Sequence, residues 1–454
     1  MINWYIPLYL GVILILFLFP HIGSFPNLQV YSEGRSGFGG LSTGTNLLLS
    51  RLISGDLLAF AIIYALRFGV MGGLAFAFTV LASLLIYVLI VYKLRKKKAC
   101  HSIHDLLREQ SDPYSYKYHL LVLCAINLGN MLLQLVALNY LLGPYFLQAS
   151  YRILFFIVVF SFIYSGLGGF EALNKGAKPQ MILVFFTTAL ITVSVFLEKG
   201  LSTTYQDLVI IPLNPISFSE WTIILLTGII ILTSQYLLDH SLWHCVYRLK
   251  PQRQYSILLI AIFCVFAISM GYSAITIYGM SQTVLTGNNI LQVLERNKSI
   301  ILLNLYILTV FIAVSSSYAL NLFSTVLLYF KFRETDHPVK ETSPIKQGYI
   351  FSLLINLLVG AFFLLLLHNS LIEVISVLGI VYASLIIPYL ITLFRTTHPL
   401  RFVAYSGLLP LICGVVIYLR FGYFYTPILC LGLSVVLQVI ISLLGKMQEI
   451  IKTG

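Results

Sequence analysis

The chain has 454 residues, of which 59% are apolar and 10% charged, and its mean hydropathy is +0.93. A water-soluble domain carries about 25% charged residues, so this composition cannot clothe a water-facing surface, and the chain reads as an all-α polytopic membrane protein. The net charge of +12 requires no nucleic acid, because lysines and arginines beside anionic lipid account for it.

A membrane helix needs about 20 mostly apolar residues. In chain order this ruler predicts thirteen spans, near 3–22, 41–66, 69–92, 119–142, 145–168, 179–198, 219–239, 255–281, 299–330, 348–368, 371–394, 402–420 and 425–445. The first starts close to the N-terminus with no basic leader and no small-residue cleavage site, so it reads as a retained helix rather than a signal peptide. Arg51, Asp56 and Arg67 interrupt the second and third spans. Basic residues gather on every second connection: Arg35, then Lys93 to Lys117, Lys175 and Lys178, Arg248 to Arg253, Lys331 to Lys346, Arg395 and Arg401, and Lys446 and Lys452. The positive-inside rule then puts the N-terminus outside and the C-terminus in the cytoplasm of a plasma (inner) membrane.

The longest hydrophilic interval, roughly 93–118, leaves no room for a soluble catalytic domain. The six cysteines form no CxxC pair, and neither a disulfide framework nor a zinc site is expected. A polytopic enzyme acting on lipid-linked substrates is a competing class. It needs a catalytic Asp, Glu or His on a sizeable loop, and the outer loops near 199–218 and 282–298 hold few acids and no histidine. No enzymatic activity, catalytic residue or organic cofactor is therefore expected. A transporter-like sensor is a further alternative, although no output domain accompanies the spans.

Four passages carry a resemblance. Gly34-Arg35-Ser36-Gly37 leads into a run ending Leu52-Ile53-Ser54-Gly55-Asp56. Ser102-Ile103-His104-Asp105-Leu106-Leu107-Arg108 follows a basic run. Tyr164-Ser165-Gly166-Leu167-Gly168-Gly169 is followed by Gln180, and Ala313 to Asn321 contains Ser315-Ser316-Ser317. In this order they resemble the loop, cytoplasmic segment, Gly-Gly signature and hydroxyl-rich helix of the sodium/solute symporter family. The resemblance implies two inverted five-helix repeats with broken first and sixth helices and a site at the bilayer midplane. On that pattern residues 1–40 form a first helix and cytoplasmic loop, 41–198 repeat one, 199–218 an outer loop, 219–394 repeat two, and 395–454 two C-terminal helices.

The implied activity is secondary active transport of a small polar solute by alternating access, coupled to sodium, with a proton-coupled or ion-independent carrier as the alternative. The family's sodium site carries over to the carbonyls of Ser50, Ile53 and Ile312 and the hydroxyls of Ser315 and Ser316. The bland reading of these serines is back-bonding to their own helix. Candidate substrate residues are Arg51, Asp56, Asp239 and His240. Arg51 has three possible uses: standing in for a bound cation, pairing with a substrate carboxylate, or pairing with Asp56. The second use points to an amino acid or organic acid. His240 and His244, at i and i+4, lack a third metal ligand; they suit proton coupling or simply mark an interfacial helix end. His104 needs no role on this reading, and Glu373 is either a pathway residue or a helix N-terminal charge.

Overall fold

The computed structural model describes residues 25, 28–34, 40–97, 102–146, 150–200, 202, 206, 218–282, 300–334, 343–367, 369–394, 403–422 and 425–453. The span expected near 3–22 and residues Arg35 to Gly37 lie outside them. Among the described residues there is no strand, and nine helices are long and apolar enough to cross a membrane.

Helix α1 (Leu28–Glu33) is short and buries Tyr31. Helices α2 (Leu41–Leu52) and α3 (Gly55–Lys97) form one rod broken at Ile53 and Ser54, where Ile53 is extended at φ −83 and ψ 93. A second bend in α3 falls at Gly69, with φ 63, a conformation that glycine reaches without steric cost. It marks the boundary between the second and third predicted spans. Helix α4 (Ile103–Gln110) lies between spans, and the hydroxyl of its N-cap Ser102 accepts the Asp105 N–H at 3.2 Å. Helix α5 (Pro113–Phe146) is followed by α6 (Ser150–Ser161), which runs through a π-helical turn, Phe162–Leu167, into α7 (Gly169–Lys199).

The second half repeats the opening move. Helix α8 (Phe218–Leu238) breaks at Asp239, extended at φ −77 and ψ 101, and resumes as α9 (His240–Tyr247). Then come α10 (Gln254–Gln282), α11 (Ile300–Glu334), α12 (Ser343–Leu365), α13 (Leu371–Phe394), α14 (Leu408–Phe421) and α15 (Thr426–Thr453). Two successive series of helices therefore each start with a broken member. Helix α10 packs along α3, α11 along α5 and α7, and α13 against α15. The end bearing Lys93, Arg248 and Lys331 is called the basic end below.

Close approach at the first break requires a small residue. A Cβ at Gly55 would stand 2.5 Å from Val314 Cγ2 of α11. At Gly169 (φ 58) a Cβ would stand 2.9 Å from the Tyr31 carbonyl oxygen, and the Tyr31 hydroxyl donates to the Gly166 carbonyl at 2.9 Å. The Gly-Gly signature is thus the seat of α1. Gly55→Ala is expected to lower stability by about 1–3 kcal/mol, the usual cost of overpacking, read as a reduced midpoint of thermal unfolding in detergent. Gly432→Ala, with nothing within 4 Å, is expected to leave that midpoint unchanged.

Candidate functional site

Breaking a helix inside a membrane strands backbone groups and exposes helix dipoles, so polar side chains are needed at the gap. Arg51 sits in the last turn of α2, and Asp239 is the N-cap of α9. Asp239 Oδ1 accepts the backbone N–H groups of Ser241 at 2.8 Å and Leu242 at 3.2 Å. Its other oxygen forms an ion pair with Arg51 Nη2. The Arg51 Nε donates to Ser241 Oγ at 3.0 Å and its Nη1 to Ser317 Oγ of α11 at 3.0 Å. Both charges are almost wholly buried, at 2% and 0% exposure. The guanidinium therefore ties the broken helices to each other and to α11. Its partner is Asp239 rather than Asp56.

Asp56, in the first turn of α3, belongs to a second cluster. The Gly55 N–H donates to Gln134 Oε1 at 2.8 Å, which fixes that amide so that its Nε2 donates to Asp56 Oδ1 at 2.9 Å. Gln235 Nε2 of α8 donates to Asp56 Oδ2 at 3.3 Å and to Asn130 Oδ1 at 3.4 Å. The Tyr382 hydroxyl of α13 donates to the same Asn130 oxygen at 2.7 Å. Two cavities lie beyond this cluster, toward the end opposite the basic one. A wide one of about 550 Å³ has Asn139, Tyr140, Asn369 and Ser370 in its wall. Through Ile63, Arg67 and Ile372 it adjoins a narrow one of about 90 Å³, walled by Phe60, Tyr64, Phe76 and Ile231. Asp56 and Gln235 stand one helical turn below Phe60 and Ile231.

The serine triplet on α11 is offset from the position the resemblance implies. Val314 meets Gly55 and Ser317 meets Arg51, so the face containing 314 and 317 is the one turned to the first break. Ser315 lies two residues from Ser317, about 160° around the helix at 3.6 residues per turn, and its hydroxyl bonds to the Ile312 carbonyl at 3.3 Å. Ser316 bonds likewise to the Ala313 carbonyl at 3.3 Å. Ser50 Oγ donates to the Leu47 carbonyl at 2.7 Å, and Ile53 is the fully buried C-cap residue of α2. The hydroxyl that faces the break is therefore Ser317, and it accepts from Arg51.

His240 is not at the Asp56 cluster. Its Nε2 lies 2.7 Å from His104 Nε2 and its Nδ1 2.5 Å from Ser324 Oγ, which accepts from Asn127 Nδ2 at 2.9 Å. His104 and His244 line a cavity of about 690 Å³ at the basic end, with Glu33, Asp105, Arg248, Lys331 and Glu334. Helix α9 is buried, with Trp243 and Cys245 at 0% exposure, so it is an inner half-helix and not an interfacial end. His104 is the residue that sequence reasoning passed over. The signal was the apolar face of Ile103, Leu106 and Leu107, which buries His104 beside them. Burial, and then the neighbouring His240, hold the His104 imidazole well below its ordinary value of 6.5. At the cavity rim Arg248 pairs with Glu33 at 2.8 Å, and its hydrogen bond lowers the Glu33 carboxyl. Glu373 and Ser370 form a reciprocal N-terminal cap, with bonds of 3.0 and 3.2 Å; that makes Glu373 a helix N-terminal charge.

No protein-family model and no curated protein sequence matches this chain. Its fold does match solved structures. It superposes on a sodium-coupled sialic acid symporter in a substrate-bound outward-open state with a TM-score of 0.74, at 15% identity and over 98% of each chain. A manganese transporter of Eremococcus coleocola aligns with a TM-score of 0.51 at 12% identity, over 91% of this chain and 97% of that one. The chain thus has the fold of those membrane transporters.

Two outcomes follow from the geometry. Arg51→Ala leaves a buried Asp239 unpaired, a change that costs about 3–5 kcal/mol. The double change with Asp239→Asn is expected to cost less than the sum of the two single changes in thermal unfolding. His104 binds a proton less readily when folded than unfolded. Its contribution is therefore fully present above pH 6.5 and is lost as pH falls from there toward the folded value. The unfolding midpoint of the wild type is expected to drop between about pH 6.5 and 5, and His104→Gln is expected to flatten that slope.

Proposed function

We propose that this chain is a secondary carrier that moves a small polar solute across the plasma membrane by alternating access. The observation that carries the reading is the pair of helix breaks at Ile53–Ser54 and Asp239, each lined by buried polar side chains, in a chain with the fold of a symporter. The series 41–198 and 219–394 act as inverted repeats within thirteen spans, the N-terminus outside and the basic end cytoplasmic. Residues 1–40 and 395–454 flank them, with 199–218 as the outer connection. On the four motif passages, the chain is a divergent member of the sodium/solute symporter family. Supporting this, its Gly-Gly signature forms the turn that seats α1, and its serine triplet lies beside the first break.

Sodium coupling is the expectation from the family, but the Arg51 guanidinium bears on it. Arg51 bridges α2, α9 and α11 with a fixed positive charge, and the hydroxyl it occupies, Ser317, is the one facing the break. A positive charge held there does electrostatically what a coupling cation does. We therefore favour a carrier that needs no sodium, with sodium coupling through the Ser50, Ile53 and Ile312 carbonyls and the Ser315 and Ser316 hydroxyls, or proton coupling, as the alternatives. The argument for an organic acid rested on a free Arg51, and Arg51 is committed to Asp239.

The test is uptake into proteoliposomes of a radiolabelled solute panel, with sodium or choline outside. Uptake equal in both cations, and abolished in Arg51→Ala, is the expected result. Uptake that requires sodium in the wild type would overturn the ion-independent reading, and no uptake of any solute above empty vesicles would overturn the carrier reading.

A further inference from the structure

We propose that the solute is an organic cation: an amine with an aromatic or branched apolar body whose ammonium group is held by Asp56. This deepens the carrier reading and rests on it.

Charge is the first argument. Near the two breaks lie three ionisable side chains, Arg51, Asp239 and Asp56. Arg51 and Asp239 cancel each other as an ion pair, and the three guanidinium nitrogens bond to Asp239, Ser241 and Ser317. Asp56 forms no ion pair among the described residues. Its two oxygens accept only from the neutral amides of Gln134 and Gln235. Those amides and the N-terminus of α3 hold the carboxylate in place, but they bring no whole positive charge to it. Asp56 is thus a buried carboxyl in a membrane segment with no ion-pair partner of its own among the described residues, and such a residue marks a site suited to a cation.

The cavity above supplies the second argument. The narrow slot that ends one turn from Asp56 is walled by Phe60, Tyr64, Phe76, Ile224, Ile231 and Leu232. Apolar and aromatic walls desolvate a hydrocarbon body, and ring faces also attract a cation. At about 90 Å³ the slot suits a slim apolar group. Joined to Asp56 through Gln235, Asn130 Nδ2 is buried and has no acceptor among the described residues. It suits a neutral hydroxyl or carbonyl oxygen, since a single amide N–H group is too little for a carboxylate. Arg67 stands in the cavity wall, eleven residues along α3 from Asp56 and so about 16 Å away at 1.5 Å per residue. At that distance it does not neutralise Asp56.

The experiment compares three ligands of one shape, 2-phenylethylamine, 3-phenylpropionate and L-phenylalanine, by thermal unfolding and by equilibrium binding to the purified full chain. Measurements are made in choline and in sodium. The amine is expected to raise the unfolding midpoint in both salts, the acid to leave it unchanged, and the zwitterion to bind more weakly than the amine. Asp56→Asn is expected to weaken amine binding about 10–100-fold, the scale of a lost charge-assisted bond. Ile231→Trp, which fills the slot, is expected to abolish amine binding while Asp56 stays in place.

Stabilisation by the acid or by phenylalanine at least equal to that by the amine overturns the proposal. So does a sodium-dependent stabilisation without ligand that disappears in Asp56→Asn, since the carboxylate would then hold the metal ion. The wild-type comparison stands even if either variant fails to fold. Binding without flux in proteoliposomes would sink the carrier reading and keep the site; flux of another solute without amine binding would do the reverse.

Discussion

The buried ion pair between Arg51 and Asp239 is the constraint on which the two helix breaks depend. Helix α2 ends with its carbonyls, the negative pole of its dipole, and Arg51 stands in that last turn. Helix α9 begins with its N–H groups, the positive pole, and Asp239 caps it. Each charge thus offsets the dipole of its own helix before it meets the other. Inside a bilayer, where water cannot solvate a frayed end, this arrangement allows two helices to stop and restart at one depth. The guanidinium then spends its remaining nitrogens on Ser241 and Ser317, so the pair also anchors both breaks to α11.

Much of this was legible in the sequence, because the chain's hydropathy marks its spans. The segment 371–394 agrees with helix Leu371–Phe394 to the residue, and Arg51 and Asp56 interrupt an apolar run at the first break, whereas the second break, at the end of the span expected over 219–239, was implied only by the resemblance. Partner choice was not legible. Arg51 has Asp56 five positions away and Asp239 far along the chain, and nothing local says that the distant carboxylate wins. The reason is topological: α9 packs on α2, whereas Asp56 lies across the break in the half that points to the other end. The register of the serine triplet was hidden for a different reason. Three consecutive hydroxyls satisfy a motif in more than one register, and only the contacts of Val314 with Gly55 and Ser317 with Arg51 choose between registers. His104 was hidden because a short basic segment reads as solvated until α4 folds its apolar face inward.

The two polar clusters divide the molecule in a way that bears on movement. Toward the basic end, Arg51, Asp239, Ser241 and Ser317 join α2 and α9 to α11. Toward the other end, Asp56, Gln134, Gln235, Asn130 and Tyr382 join α3 and α8 to α5 and α13. Each broken helix therefore has one half in each cluster, and Ile53–Ser54 and Asp239 are the joints between them. A cavity at one end can open by separating one set of half-helices while the other cluster holds. The second cluster is built of neutral amides, a phenol and one carboxylate, at bond lengths up to 3.4 Å, and so separates at less cost than the charged one.

That asymmetry also says where a solute can act. A ligand shifts a conformational balance only through contacts that differ between states. At the charged cluster every guanidinium nitrogen is already bonded within the protein, so an entering solute has to displace an ion pair before it gains anything. At the amide cluster the Asp56 carboxylate accepts only from neutral donors and Asn130 still has an unmatched N–H group. A solute placed there adds bonds without first breaking a salt bridge. In the proposed carrier, the energy it contributes would go to holding α3 and α8 on α5 and α13.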